Sequence, residues 1–212
     1  MTASPQRDPA QSPKYSDIVA AAQALFGEIG YEKTGIREIA DRAHISLGTI
    51  YAYFPDGKSG VLSAALNERV ERLVDYVAQT DKAEPLEMFL DRVRRLNTEI
   101  VRDPFLRRLF TDQGRVTEPR LRERGIEIVK TFSDLAVGEL ESLTAQGVAD
   151  CRDPEAIEML LRVANAGWIA AHHAGAPIVE HERLLDALLD SVAALIRVQP
   201  TARSRPARPS VH

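Results

Sequence analysis

The segment from Thr34 to Lys58, TGIREIADRAHISLGTIYAYFPDGK, constrains the fold more than any other part of the chain. Its first half places apolar residues at i, i+3, i+4 and i+7, which predicts a short helix with one buried stripe; these residues are Ile36, Ile39, Ala40 and Ala43. A second helix is predicted to begin after Ser46, because its hydroxyl can accept a hydrogen bond from a free backbone N–H of the first turn. The segment therefore predicts two short helices joined by a tight turn.

The second helix is predicted to have an outer face of small and hydroxyl-bearing residues. At about 100° per residue, Ile50 and Phe54 point inward together. The opposite side then carries Gly48, Thr49 and Ala52, flanked by Tyr51 and Tyr53. A DNA recognition helix must approach base edges in a major groove about 12 Å wide, and small residues permit this approach, while hydroxyls can contact bases and phosphates. An ordinary helical hairpin of an all-α protein fits the same spacing, so the spacing alone leaves both interpretations open.

The residues around the hairpin resemble the DNA-binding domain of the tetracycline-repressor (TetR-like) family of transcriptional regulators. The similarity runs from about Ile18 to Leu66 and combines AAQALFGEIGYEKTGIREIADRA with ISLGTIYAYF. This resemblance implies that DNA is contacted by Thr34, Ser46, Leu47, Gly48, Thr49, Tyr51, Ala52, Tyr53 and Lys58. One difference concerns the lysine, because three residues separate Phe54 from Lys58 where the family usually has two. This leaves open whether Lys58 makes the family's phosphate contact.

The charge distribution argues against a purely electrostatic mode of DNA binding. The whole chain of 212 residues has a formal net charge of −4. Its first 60 residues hold six Lys and Arg against seven Asp and Glu, whereas many DNA-binding domains are strongly basic. We therefore expect DNA affinity to depend on a few well-aimed contacts from hydroxyls and helix N-termini, and on dimerisation.

The cellular compartment and the domain organisation follow from composition. A single cysteine, Cys151, excludes an internal disulfide and any multi-cysteine metal site. No apolar run approaches the ~20 residues that span a bilayer, and the N-terminus has no apolar signal core, so we expect a cytoplasmic protein.

The remaining patterns predict an all-α chain of about nine helices. Its expected parts are a flexible arm (1–11), a helix-turn-helix domain (12–57), a helical ligand-binding and dimerisation domain (58–198) and a disordered tail (199–212).

Two further sites are predicted in the larger domain. A mainly apolar effector pocket is expected between helices that carry aromatic residues and one orienting polar face; its residues are Phe89, Phe105, Phe110, Phe132, Asn165, Trp168 and His172. The family resemblance also implies that the last two helices pair with their copies in a homodimer. The apolar stripe of the last helix agrees with this, and its predicted interface residues are Leu184, Leu188, Val192 and Leu195. Complete burial within its own chain would explain the same stripe.

These features predict a ligand-responsive DNA-binding regulator, most simply a repressor released from a double-stranded operator by a small apolar effector. No catalytic residue, metal site or cofactor is predicted. His172 and His173 are adjacent on a predicted helix and diverge by about 100°, so they cannot chelate one ion together. A transcriptional activator of the same fold and a helical protein-interaction adaptor are the alternatives. A helical enzyme would require a nucleophile–base pair or paired carboxylates, and the sequence offers no such local set.

Overall fold

The computed structural model describes residues 12–112, 119–176 and 178–197. Within these ranges the chain forms nine α-helices and no β-strand beyond one isolated antiparallel bridge between Ala149 and Arg197. The helices are α1 (Pro13–Ile29), α2 (Ile36–Arg42), α3 (Leu47–Tyr53), α4 (Lys58–Ala78), α5 (Pro85–Arg102), α6 (Pro104–Asp112), α7 (Pro119–Ala145), α8 (Pro154–His173) and α9 (His181–Ile196). The all-α prediction is confirmed. The predicted arm (1–11) and tail (199–212) lie outside the described residues.

The N-terminal core is built from α1 to α4. Proline at the first position of α1 follows Ser12 in extended conformation, an arrangement that starts a helix without wasting a backbone donor. The fully buried side chains include Ile18, Ile39, Ile50 and Leu66. The first two turns of α4 therefore belong to the same core as the helix-turn-helix, and α4 continues from there into the larger domain.

Helix α6 joins the two parts of the molecule. Phe105 is buried in the N-terminal core, where its ring stacks on Phe26 with centroids 6.2 Å apart. Gly27 lets the backbones of α1 and α6 come close, because a Cβ there would lie 3.0 Å from the Phe105 nitrogen. The prediction that Phe105 lines the effector pocket is therefore wrong. Its apolar character indicated burial correctly, but the partner of a buried ring depends on long-range packing.

The second core lies among α5, α7, α8 and α9. Its buried residues include Phe89, Leu140, Leu161, Leu185, Leu189, Val192 and Ile196. Val192 is 0% exposed within its own chain. The prediction of Val192 as a dimer contact is therefore wrong, because the side of α9 that carries it packs against α5 and α8. Leu184 and Leu188 are half-buried, and Leu195 is 64% exposed.

Candidate nucleic-acid interface and effector cavity

Ser46 fixes the start of α3 in the way that the sequence predicts. Its Oγ accepts a hydrogen bond from the Thr49 backbone N–H at 3.1 Å, and its backbone is extended (φ −76°, ψ 151°). The turn before it passes through His44 at φ 56°, a left-handed conformation in which histidine is enriched among non-glycine residues. The cap and the turn together set the direction in which α3 leaves the hairpin.

The outer face of α3 is accessible at its centre. Gly48 and Ala52 are exposed, and Tyr51 is 47% exposed. A Cβ added to Gly48 would meet only the Ser46 Oγ within 4 Å, at 3.8 Å, so the space above it is open. Thr49 and Leu47 are half-buried, and the Thr49 hydroxyl lies 2.8 Å from the Ser46 hydroxyl. The centre of this face thus carries small side chains, and polar groups lie along its edges.

Tyr53 connects the end of α3 to the start of α1. Its hydroxyl lies 2.8 Å from the Ser12 Oγ, and its ring packs edge-on against Tyr15 with centroids 6.5 Å apart. The hydroxyl is part-buried in this contact. This arrangement fixes α3 against α1, and it gives Tyr53 a structural role in addition to the DNA contact predicted for it.

The structure does not bring Thr34 to the surface. Thr34 is 1% exposed, and its Oγ1 donates a hydrogen bond to the Gly30 carbonyl oxygen at 2.8 Å. Gly35, which follows it, is the residue at the start of α2, where the Glu38 side chain accepts from its backbone N–H at 2.7 Å. The prediction of Thr34 as a DNA contact is therefore wrong. Its hydroxyl caps the end of α1, where a helix leaves carbonyl groups without partners.

Lys58, the first residue of α4, faces the α1–α2 connection. Its Nζ donates to the Tyr31 carbonyl oxygen at 3.0 Å and lies 4.1 Å from the Tyr31 ring centroid. The extra residue before it is accommodated by Gly57 at φ 62°, where a Cβ would lie 3.3 Å from the Tyr51 ring. The Lys58 ammonium thus lies beside Tyr31, and its phosphate contact stays a prediction.

A mainly apolar cavity of about 100 Å³ lies among α4 to α8. Two of the predicted pocket residues, Phe132 and Asn165, line it together with Leu73, Val93, Leu96, Ile100, Leu106, Ile128 and Leu161. An adjoining apolar cleft of about 470 Å³ is lined by Phe89 and shares Phe132, Val93, Leu96 and Ala136 with the cavity. Apolar periodicity identified the walls as buried but could not show which of them surround empty space.

The cavity has polar groups at two places, of which the sequence singled out only Asn165. At one, the Asn165 Oδ1 lies 2.9 Å from the Nε2 of His181, and burial lowers the pKa of His181, which keeps this imidazole neutral. At the other, Glu158 accepts from Ser133 Oγ at 2.6 Å and from Arg162 Nε at 3.0 Å. These pairs can orient a bound molecule, since polar groups in an apolar cavity decide which end of a ligand fits.

Trp168 and His172 lie away from this cavity. The Trp168 Nε1 donates to the Val179 carbonyl oxygen at 2.9 Å, which ties its indole to the connection before α9. Trp168 also stacks on His172, with centroids 4.9 Å apart and planes at 9°. The prediction that both residues line the effector cavity is wrong, because only Asn165, at the edge of the shared helix face, is turned to the interior. The side chain of Phe110 lies outside the described residues.

The described residues were also compared with the requirements of a reactive thiol, a metal site and a membrane span. Burial raises the pKa of the Cys151 thiol, which lowers the fraction present as the nucleophilic thiolate. Among the described residues, no group of three His, Cys, Asp or Glu side chains is placed to hold a metal ion. None of the described helices is long and apolar enough to cross a membrane.

The exposed helix α3, capped by Ser46, lies on a three-helix core, and α4 links this core to an all-α domain with a cavity. These features define a helix-turn-helix protein with a second, helical domain. The family described as bacterial regulatory proteins, tetR family, matches residues 18–65. The repressor KstR of Mycobacterium tuberculosis is 34% identical over 107 residues, which are 48% of this chain and 47% of KstR. The repressor AcnR of Corynebacterium diphtheriae is 27% identical over 85% of this chain and 92% of AcnR.

Solved structures show the same fold. A transcriptional regulator of Saccharomonospora viridis in complex with choline superposes with a TM-score of 0.75 at 21% identity, over 89% of this chain and all of that chain. AibR in complex with isovaleryl coenzyme A and operator DNA gives a TM-score of 0.65 at 20% identity, over 84% and 97% of the two chains. The similarity to the tetR family of bacterial regulatory proteins thus covers residues 18–65, and the similarity in fold covers most of the chain. The chain spans about half the length of the KstR repressors that it matches.

Proposed function

We propose that this protein is a homodimeric repressor that binds operator DNA through α3 and is released from it by a small, mainly apolar effector. The observation that carries the proposal is the exposed face of α3, with Gly48 and Ala52 at its centre and Tyr51 at its edge. Such a face can approach base edges in the major groove. KstR and AcnR are repressors by name, and AibR has been crystallised with operator DNA. We infer the same role for this chain.

Dimerisation is proposed through the exposed faces of α8 and α9. Met159 is 49% exposed, Val163 55% and Leu195 64%. On the same faces lie the small exposed residues Ala156, Gly167, Ala170, Ala187, Ser191 and Ala194. Small residues let helix backbones approach closely. A large contiguous patch of exposed apolar residues is unusual on the surface of a monomer. Leu184 and Leu188 border this surface and stay in the proposed interface.

The effector is proposed to bind the cavity around Phe132 and to enlarge it. Binding sites for small molecules are commonly about 300–1,000 Å³, and the cavity measures about 100 Å³. An effector must therefore displace the shared wall toward the adjoining cleft of about 470 Å³. The ligands of the structural relatives, choline and isovaleryl coenzyme A, are chemically unlike each other, so the effector of this protein is inferred from its own apolar walls.

Helix α4 is proposed to transmit this change to the DNA. Val70 and Leu73 of α4 line the cavity, whereas Val61 and Leu66 of the same helix belong to the core beneath α3. Arg69 lies between these two regions and pairs with Glu99 at 3.0 Å and with Asp103, at the end of α5. A ligand that prefers a displaced α4 must weaken DNA binding by the same coupling free energy, because the two half-sites require a fixed separation of the reading helices.

Thr49→Ala and Tyr51→Phe test the DNA-reading face. We expect Thr49→Ala to weaken operator binding by about 1–3 kcal/mol if it contacts a base, and Tyr51→Phe by less if its hydroxyl contacts a phosphate. A mobility-shift titration with the promoter region beside the protein's own gene measures both effects, and circular dichroism checks that the variants fold. Operator binding at wild-type strength by both variants would place the reading face elsewhere.

Ala136→Phe tests the effector cavity, because Ala136 lines both the cavity and the adjoining cleft. A phenyl group there should fill the space, so that apolar compounds no longer raise the melting temperature or release the operator, while DNA binding persists. The matched control is Gly138→Phe, which adds the same ring to the outward side of α7, where nothing lies within 4 Å of an added Cβ. Equal responses of both variants to the compounds that act on the wild type would contradict this location.

A further inference from the structure

We propose that a second cleft, between α1, α6 and α8, binds the phosphate group of a small molecule. This cleft measures about 320 Å³ and is separate from the apolar cavity. Arg107 and Arg108 of α6 line one side, and His172 and His173 of α8 line the other. None of these four side chains belongs to the DNA-reading face or to the effector cavity.

The charges of the cleft favour an anion. Glu28 is the only acidic residue among the described residues that line it. Both carboxylate oxygens of Glu28 are held by the Arg42 guanidinium, at 2.7 and 2.9 Å. This pairing lowers the pKa of Glu28, mainly through the hydrogen bond from Arg42, so the carboxylate is ionised and already matched by a cation outside the cleft. The Arg107 guanidinium therefore faces a carboxylate that is already paired, and the lining holds more basic than acidic side chains.

The geometry of the arginines suits a phosphate. Arg107 Nη1 donates to the Val101 carbonyl oxygen at 3.3 Å, and Arg108 Nη2 donates to the Glu28 carbonyl oxygen at 3.1 Å. These bonds hold one nitrogen of each guanidinium beside the cleft that both residues line. A guanidinium has five N–H donors in a fixed fork, and this fork matches two oxygens of a phosphate. Arg107 thus uses one N–H donor for the Val101 carbonyl oxygen, and the other N–H donors of its guanidinium can bind an anion.

The cleft and the apolar cavity are separated by a buried wall. Leu106 and Ile169 are each 2% exposed; Leu106 faces the cavity, whereas its neighbour Arg107 faces the cleft. A phosphate compound can therefore bind without entering the cavity. Because the cleft joins α1 of the N-terminal core to α6 and α8 of the larger domain, a bound phosphate would connect the two. The binding itself does not depend on the function proposed above.

The only tryptophan of the chain reports on this site. Trp168 stacks on His172 at 4.9 Å, so a ligand that contacts His172 should change its fluorescence. We expect a saturable change on titration with inorganic phosphate, pyrophosphate or ADP at constant ionic strength, together with a higher melting temperature. Tightest binding of inorganic phosphate would identify the free ion as the ligand, and tightest binding of ADP would identify a phosphorylated metabolite.

The double variant Arg107→Gln, Arg108→Gln should weaken this binding by about tenfold or more, as expected for lost charge-assisted hydrogen bonds. Lys130→Gln shows the effect of removing one positive charge elsewhere, because Lys130 is 71% exposed on α7 and pairs with Asp134 outside the cleft. If the double variant does not fold, Arg107→Gln alone is used. No saturable response to any of the three probes up to about 10 mM, or equal binding by the arginine variants and the control, would overturn the proposal.

Discussion

Gly48→Glu is expected to abolish specific operator binding while the protein remains folded. The carboxylate would stand at the centre of the exposed face of α3, where it would repel DNA phosphates and prevent close approach to base edges. Each base contact that is lost costs about 1–3 kcal/mol, so we expect specific affinity to fall by about 100-fold or more. Stability should stay equal or rise, because glycine in a helix is less favourable than glutamate by up to about 1 kcal/mol and a carboxylate near a helix N-terminus is favourable.

The matched control for this variant is Gly138→Glu. Gly138 is an exposed glycine of α7 with open space around its Cβ position, so it receives the same change in charge and size far from α3. Operator affinity is measured by fluorescence anisotropy and the melting temperature by differential scanning fluorimetry. Wild-type affinity in Gly48→Glu, or an equal loss of affinity in Gly138→Glu, would contradict the reading face proposed here.

Val163→Glu combined with Leu195→Glu is expected to convert the dimer into folded monomers. Both residues are exposed within one chain, at 55% and 64%, so the substitutions should not disturb the core of the subunit. In a dimer the two carboxylates would be buried without partners, which is strongly unfavourable. Because a dimer engages two half-sites at once, the loss of one should reduce operator affinity by a factor of about 10²–10⁴.

Sedimentation velocity distinguishes the two states, since one chain has a mass of 23.5 kDa. Ile126→Glu is the control, because Ile126 is 60% exposed on α7, outside the proposed interface. We expect the control to remain a dimer and to bind DNA. A wild-type monomer at micromolar concentration, or an intact dimer in the double variant, would contradict the interface on α8 and α9.

Local sequence signals predicted the helices and the start of α3. Proline at the first position of α1, α5 and α8 and the hydroxyl of Ser46 act within one helical turn, so their effects can be seen without knowledge of the fold.

Long-range packing accounts for the predictions that were wrong. Phe105 and Val192 were expected to be apolar contacts and are buried, but Phe105 packs on Phe26 and Val192 packs inside its own subunit. Trp168 does not line the cavity; its indole donates to the Val179 carbonyl oxygen instead. Thr34 was assigned by resemblance, and its burial could not be inferred from a polar side chain. In the cavity, Glu158 pairs with Ser133 and Arg162, and its bond to Ser133 joins α7 to α8. A contact between two helices cannot be predicted from a local sequence pattern.

A footprint of the purified protein on the promoter region beside its own gene tests the proposed operator binding and its release by an effector. A dimeric repressor should protect two half-sites separated by about one helical turn, 34–36 Å, or a multiple of it. We also expect two chains per site and loss of protection when an apolar compound that raises the melting temperature is added. Protection no stronger than on unrelated DNA of the same length, or a single half-site occupied by one chain, would show that the protein is not such a repressor.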